Sequence, residues 1–272
     1  MKLVSIVVRT CGRPHILKET LESIRKQNYK NIEIVIQEDG QATAKELIDE
    51  VFQDLNIQYE ANGVRLGRTQ TGNRGLERAN GEYLMFLDDD DIIYPEHVEV
   101  LVRELENGKE LAAYAIAHES IVKYNKRKKA YIETKRWIRY KQPFNRLFLT
   151  YNNYIPIQSI LFRRELYEEL GGFDETLDYL EDWDLWVRYS TKTDFIFVDK
   201  VTSLYRVPKK KKKRDINMRE AYENVSRKFQ AYSFHENLYL INKEMCYIMN
   251  EIKTSRLKRK LILMRNHLQN RR

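Results

Sequence analysis

Gly81-Glu82-Tyr83-Leu84-Met85-Phe86-Leu87-Asp88-Asp89-Asp90-Asp91 is the stretch on which the reading of this chain turns. Tyr83 to Leu87 is an unbroken apolar run with aromatic residues, the pattern of a short strand buried on both faces. Four aspartates follow at once, and Ile92-Ile93-Tyr94-Pro95 then restores apolar character. Carboxylates packed at the end of a buried strand repel one another and lose hydration, so ionising all four is costly. A divalent cation removes that cost, and the hard ions Mn2+ and Mg2+ take oxygen ligands, usually shared with phosphates. A solvated acidic turn opening a helix near Pro95 is the plain alternative. The carboxyl end of a strand is the ligand edge of an open α/β sheet, which favours a site.

Upstream, Val4 to Val8 reads as a buried strand, and Gly12 and Pro14 mark a turn before a helix from about His15 to Lys26. Ile32 to Ile36 is the next strand, ended by Glu38-Asp39-Gly40. A helical segment with Leu47, Ile48, Val51 and Phe52 at core spacing leads to a weaker strand, Ile57-Gln58-Tyr59. Such alternation predicts parallel, right-handed βαβ units. Downstream, Glu96 to Glu106 has helical spacing. Leu111 to Val122 can pair across the Asn125-Lys126-Arg127-Lys128 turn with Ala130-Tyr131-Ile132. This insertion interleaves Tyr124, Tyr131, Trp137 and Tyr140 with lysines and arginines, a surface suited to sugars or anionic acceptors as well as to nucleic acid. A helix over Phe144 to Leu149, a strand over Ile157 to Phe162, and a helix over Arg164 to Leu170 capped by Gly171-Gly172 follow. Phe195 to Val198 and Val201 to Val207 read as the last strands.

Several of these stretches resemble family 2 glycosyltransferases of GT-A fold. The aspartate run resembles the family's Asp-x-Asp-Asp, preceded by Asn73-Arg74-Gly75, Ala79 and Gly81-Glu82-Tyr83 where the family carries Asn-x-Gly, Ala and Gly-Glu-Tyr. Val4-Ser5-Ile6-Val7-Val8-Arg9-Thr10-Cys11-Gly12-Arg13 is similar to its Val-Ser-Ile-Val-Ile-Pro-Thr-Tyr-Asn-Arg opening, and Glu38-Asp39-Gly40 to its Asp-Asp-Gly. Gly171-Gly172-Phe173-Asp174-Glu175 and Glu181-Asp182-Trp183-Asp184-Leu185-Trp186-Val187-Arg188 match two further motifs, and Tyr205-Arg206 matches the closing pair. The resemblance implies a nucleotide base held by Thr10 and Asp39, a carboxylate being able to accept the imide N–H of uracil or thymine. It implies further donor contacts from Arg13, Arg68, Asn73, Asp88 and Asp89, and a metal held by Asp88, Asp90 or Asp91. Asp182 would be the general base, with Glu181 as the alternative. Cys11 and Gly12 depart from the family's Tyr-Asn, and Gly72 stands where it carries an arginine, whose charge Arg68 or Arg74 would supply. Where some members carry a histidine soon after this pair that can join the metal, Pro208 and lysines follow here.

With 272 residues, 42% hydrophobic and 32% charged, the chain can bury a full core. No apolar run is long enough to span a bilayer, and the opening apolar run, cut by Arg9, reads as a strand rather than a signal peptide. Two cysteines, Cys11 and Cys246, make no disulfide framework, which suggests a reducing cytoplasm. The net charge of +8 is unevenly placed: residues 209–272 hold 18 Lys/Arg and 6 Asp/Glu, leaving residues 1–208 at −4.

The expectation is an α/β chain: a GT-A domain over 1–208, a mainly parallel sheet flanked by helices, and a basic helical tail over 209–272. In the tail, Leu257, Leu261, Met264 and Leu268 share one helical face among arginines and lysines. That pattern suits an anionic membrane surface, such as the inner face of the cell membrane, or packing on the domain or on a second subunit. The expected reaction is inverting transfer from a UDP- or dTDP-linked sugar to a hydroxyl of a glycan or lipid-linked acceptor, with Mn2+ or Mg2+. A metal-dependent nucleotidyltransferase is the rival enzyme. A basic surface- or nucleic-acid-binding protein is the rival outside enzymes, and the weakly acidic body opposes it.

Overall fold

A computed structural model describes residues 1–177, 179–209 and 221–229. Met1–Val225 form one compact unit and Ser226–Arg272 a second. The amphipathic stretch expected between Glu236 and Leu268 lies outside the described residues, as does most of the basic run from Lys209 to Arg214.

The N-terminal half is built from βα units; β4 is apolar on both faces, as a central parallel strand must be, whereas one face of β1 and β2 also buries Ser5, Arg9, Glu33 and Gln37. β1 (Val4–Thr10), β2 (Ile32–Glu38), β3 (Ile57–Ala61) and β4 (Tyr83–Asp88) pair in parallel in the order β3-β2-β1-β4. Their connections carry α1 (Pro14–Arg25), α2 (Lys45–Val51) and α3 (Arg68–Arg78). Pro14 opens α1 at the first helical position, where its missing N–H costs nothing. Beyond β4 come β5 (Ile92–Ile93), α4 (His97–Asn107), β6 (Ala112–Asn125), β7 (Ala130–Ile138) and α5 (Arg146–Tyr151). A 3₁₀ turn (Ile157–Ser159), β8 (Ile160–Arg163), α6 (Arg164–Leu170), α7 (Glu181–Ser190) and β9 (Phe195–Pro208) complete the order.

The sheet continues β4-β8-β6-β9-β5, with β7 hairpinned on β6. β8 is antiparallel to both neighbours, whereas the long β6–β9 ladder is parallel, so parallel pairing predominates. One face packs Val4, Ile6 and Val8 against Leu17 and Leu21 of α1 and Leu101 and Leu105 of α4. On the other, Gly75 of α3 lies so close to β1 that an added Cβ would fall 2.4 Å from Val7 Cγ1. Phe86, Phe162, Trp186 and Tyr189 form an aromatic layer under α7.

Two expectations change in detail. The strand expected over Ile157 to Phe162 begins only at Ile160, because the three preceding residues make the 3₁₀ turn. The two strands expected at the end are one, β9: exposed Asp199 and Lys200 interrupt the apolar pattern, but the β6 register skips them as a bulge.

Candidate active site

The carboxyl ends of β1, β2 and β4, the first turns of α3 and α7, and the β6–β7 hairpin surround one cavity of about 1120 Å³. Parallel strands end side by side, so residues far apart in sequence meet there. Arg9 pairs in register with Asp88, and the Asp89 amide donates to the Arg9 carbonyl at 3.1 Å.

The aspartates do not share one environment. Asp88 accepts from Arg9 Nε at 2.8 Å and Nη2 at 2.7 Å, with Arg68 Nη2 at 3.8 Å. Burial pushes its carboxyl up, but the Arg9 and Arg68 guanidiniums outweigh that and hold it below the usual range. Asp89 is fully buried, accepts from Thr10 Oγ1 at 2.7 Å and forms an ion pair with Arg13; burial nevertheless lifts it to about 6. Asp90 keeps partial exposure, with Arg13 Nη1 at 3.5 Å. Asp91, 5% exposed, accepts the Arg206 amide at 3.2 Å, and burial with neighbouring Asp90 and Asp88 raises it well above the ordinary value. Thr20 of α1 donates to the carbonyls of Asp89 and Asp91 at 2.8 and 2.9 Å, which fixes the turn.

Across the cavity, Leu180 adopts a left-handed conformation (φ 61°) directly before α7, an unusual backbone for a bulky residue. It places Glu181 and Asp182 in the first helical turn, where the helix dipole favours carboxylates. Arg9 Nη1 donates to Glu181 at 3.0 Å, and Arg68 Nη1 lies 3.4 Å away. Buried Arg9 therefore bridges the aspartate turn to α7, and the carboxylates of Asp88 and Glu181 keep it charged despite its desolvation. Asp182 is differently served: it accepts from Asn153 Nδ2 at 3.0 Å and from the next amide, Trp183 N, at 2.9 Å. Burial, then the neighbouring Glu181, pushes it up to about 6. Its side chain does not cap α7, whose N-cap residue is Leu180.

Of the expected donor residues, Thr10, Arg13, Asp39, Arg68, Asp88 and Asp89 all line the cavity. Asp39 also holds the loop before α3, accepting from Leu66 N at 2.7 Å and Gly67 N at 3.3 Å. Asn73 is not brought to the cavity: its amide receives Phe173 N at 2.8 Å and donates to Phe173 O at 3.0 Å, latching α3 to the Gly171-Gly172-Phe173 loop. Gly72 cannot carry the family's arginine, because a Cβ there would meet the Phe173 ring at 2.6 Å. Arg9 and Arg68 supply the positive charge instead, whereas Arg74 points to Asn62 Oδ1 at 3.4 Å. Sequence reading gave no role to Arg9, Asn153, Glu119 or Tyr205. A charged residue ending an apolar strand was the available sign for Arg9; the others depend on long-range pairing.

Among the described residues, no three His, Cys, Asp or Glu side chains are grouped to hold a metal. Asp88, Asp90 and Asp91 do not come together as a ligand set, since Asp88 is turned to Arg9. An Mg2+ or Mn2+ ion bound beside a diphosphate needs only one or two carboxylates, with phosphate and water oxygens completing its shell. Asp90 and Asp91 fit that smaller requirement: both are hard oxygen donors, and their mutual repulsion is what a cation would relieve.

The family model for "Glycosyl transferase family 2" matches residues 5–171, more than half of the chain. An uncharacterized glycosyltransferase of Rickettsia prowazekii, RP339, is 26% identical over 255 residues, 92% of this chain and 78% of that protein. TarS of S. aureus, solved with UDP-GlcNAc, superposes with a TM-score of 0.63 at 18% identity, over 77% of this chain and 60% of its own. The mannosyltransferase PcManGT of Pyrobaculum calidifontis, solved with GDP-Man and Mn2+, gives a TM-score of 0.57 at 18% identity, over 92% of this chain and 81% of its own. Among the described residues no helix is long and apolar enough to cross a membrane. The fold is that of the GT-A glycosyltransferases, and the chain belongs to glycosyl transferase family 2.

Proposed function

We propose that this protein transfers a sugar, with inversion at the anomeric carbon, from a UDP- or dTDP-sugar to a hydroxyl of a glycan or lipid-linked acceptor. The observation that carries the reading is the division of labour in the first turn of α7. Glu181 is committed to Arg9 and Arg68, while Asp182 faces the same cavity with a carboxyl raised to about 6. A base poised near neutral pH is what proton removal from an alcohol requires. TarS and PcManGT were solved with UDP-GlcNAc and GDP-Man, which supports a nucleotide-sugar donor.

In this reading, Thr10 and Asp39 hold the base end, and Arg13 and Arg68 meet the diphosphate. Asp182 Oδ takes the acceptor proton as the acceptor oxygen bonds to the anomeric carbon from the far side. The bond from that carbon to the diphosphate oxygen breaks, and the nucleoside diphosphate leaves with the electron pair. Asp90 and Asp91 would hold Mn2+ or Mg2+, which when bound neutralises charge on the departing diphosphate. Asn153, bonded to Asp182, fixes the direction in which the base points.

Asp182→Asn tests the assignment. The amide keeps the shape but cannot accept a proton, so transfer or donor hydrolysis falls by roughly a hundredfold or more while UDP affinity is unchanged. Because the base works ionised, the wild-type rate rises with pH through about 6, and this limb vanishes in the variant. Near-normal transfer by Asp182→Asn with an inactive Glu181→Gln would move the base to Glu181. Activity in both variants would end the inverting assignment.

A further inference from the structure

The cavity exceeds the range of about 300–1,000 Å³ usual for a single small ligand. Its far side, beyond Asp182, is made by elements that carry no donor contact. In the β6–β9 ladder Glu119 pairs with Tyr205, and the chain leaving β7 brings Arg139 and Tyr140 over them. We propose that Glu119, Arg139, Tyr140 and Tyr205, beside Asn153 and Asp182, form the acceptor subsite, and that it takes an uncharged pyranoside. This rests on the sugar-transferase reading above and adds the chemical class of the acceptor.

Three observations support it. Glu119 is only 2% exposed, yet it lines the cavity. Tyr205 Oη donates to its Oε2 at 2.7 Å and Arg139 Nη1 to the same oxygen at 3.0 Å. Among the described residues no donor reaches Oε1, which is not one of the fully buried atoms, so a carboxylate oxygen of the cavity wall is left open to receive a hydroxyl proton. Tyr140 is half-buried; Arg139 stacks on it at 5.4 Å, and its phenol lies within electrostatic range of both Glu119 and Asp182. An aromatic ring beside a carboxylate, an amide and a guanidinium offers an apolar face and directional partners at once, which a pyranose ring matches.

Charge selects against an anionic acceptor. Each guanidinium lining the cavity already faces a carboxylate: Arg139 meets Glu119, Arg206 meets Glu19, and Arg9, Arg13 and Arg68 meet the aspartates and Glu181. The lining holds eight carboxyl residues, five arginines and no lysine or histidine. Beside a nucleoside diphosphate a second anion would meet a surplus of carboxylates, with Arg206 Nη1 the one guanidinium nitrogen of the lining that is buried and lacks a hydrogen-bond partner among the described residues, whereas a neutral polyol needs no cation.

Saturation-transfer NMR on the full chain with UDP and Mn2+ provides the test. The probes are the p-nitrophenyl β-pyranosides of glucose, galactose and N-acetylglucosamine, with p-nitrophenyl β-glucuronide as the anionic counterpart. At least one neutral glycoside is expected to show saturation on its ring protons, and the glucuronide several-fold less. Glu119→Gln and Tyr140→Ala should each weaken that glycoside at least fivefold and leave UDP affinity by calorimetry intact, which also reports folding. Lys128→Ala, at the exposed hairpin turn, should change neither. No neutral glycoside bound by protein that binds UDP, tighter glucuronide binding, or variants indistinguishable from wild type would each overturn the proposal. Loss of UDP binding by the wild type would instead strike the donor reading, and the glycoside signals would still judge the subsite.

Discussion

Arg9, the last residue but one of β1, carries a guanidinium that is 6% exposed and touches two carboxylates 93 positions apart in sequence, Asp88 and Glu181. The family pattern has proline at this position and arginine where this chain has Gly72; here Arg9 of β1 and Arg68 at the start of α3 supply the positive charge. A rigid fork of donors suits that post, since Arg9 reaches Asp88 through two nitrogens and Glu181 through the third. Arg9→Gln leaves two carboxylates near the cavity without their buried cation, a loss that typically costs about 3–5 kcal/mol. Thermal unfolding should show a drop of that order, and the added change Glu181→Gln should recover part of it, because one uncompensated charge is then gone. A double-mutant cycle in which the two changes simply add would mean that the bridge carries no coupling. Arg9→Lys keeps the charge without the fork and should fall between the two in both stability and UDP affinity. None of this was legible from the sequence: a charged residue after a buried strand signals a site, but its partner on α7 appears only when the strands are ordered.

Among the elements, periodicity exposed those whose environment is uniform along their length. β1, β4, α1 and α4 have apolar positions at strand or helix spacing over a single packed face, and the Asn125–Lys128 turn marked the β6–β7 hairpin. Irregular pieces were less visible. A 3₁₀ turn with buried Gln158 looks like more strand, and a bulge at Asp199 and Lys200 looks like an interruption. That β8 sits antiparallel between β4 and β6 is a matter of backbone pairing that a four-residue strand cannot announce. Contact between α3 and the loop before α7 is similarly hidden. It depends on Gly72 meeting the Phe173 ring, which itself stacks on Phe86 at 4.4 Å. Gly72→Ala gains about 1 kcal/mol of helix propensity but forces a Cβ into that ring. Overpacking typically costs about 1–3 kcal/mol, so the net effect should be destabilising, measurable as a lower denaturation midpoint. In a Phe173→Leu background the same change should become neutral or stabilising. A stabilising Gly72→Ala in the wild-type background would show that the loop yields freely and that the missing arginine is not a packing matter.

For the whole molecule, the sign of charge differs from place to place. The formal charge is +8, yet residues 1–208 carry −4, and the cavity itself is lined by eight carboxyl residues against five arginines. The nucleoside diphosphate of the proposed donor would add further negative charge to this surplus. Arg9 is shared by Asp88 and Glu181, and Arg13, one of the two arginines proposed to meet the diphosphate, already faces Asp89 and Asp90, so five arginines leave the surplus in place. Crowding of Asp91 by burial, Asp90 and Asp88 records the same imbalance before any ligand arrives. Two unit charges 4 Å apart interact by about 4 kcal/mol at an effective dielectric near 20, so in the proposed reading a divalent cation held by Asp90 and Asp91 would relieve a repulsion large enough to govern donor affinity. Calorimetry with UDP should therefore give at least tenfold weaker binding in EDTA than in Mn2+. Asp90→Ala should lose most of that metal effect while retaining the fold, because its partly exposed side chain has only a 3.5 Å contact with Arg13. Asp88→Ala should behave differently, freeing Arg9 and disturbing α7 as well as the donor. Equal UDP affinity with and without Mn2+ would remove the cation from the mechanism and leave Arg68 to balance the diphosphate.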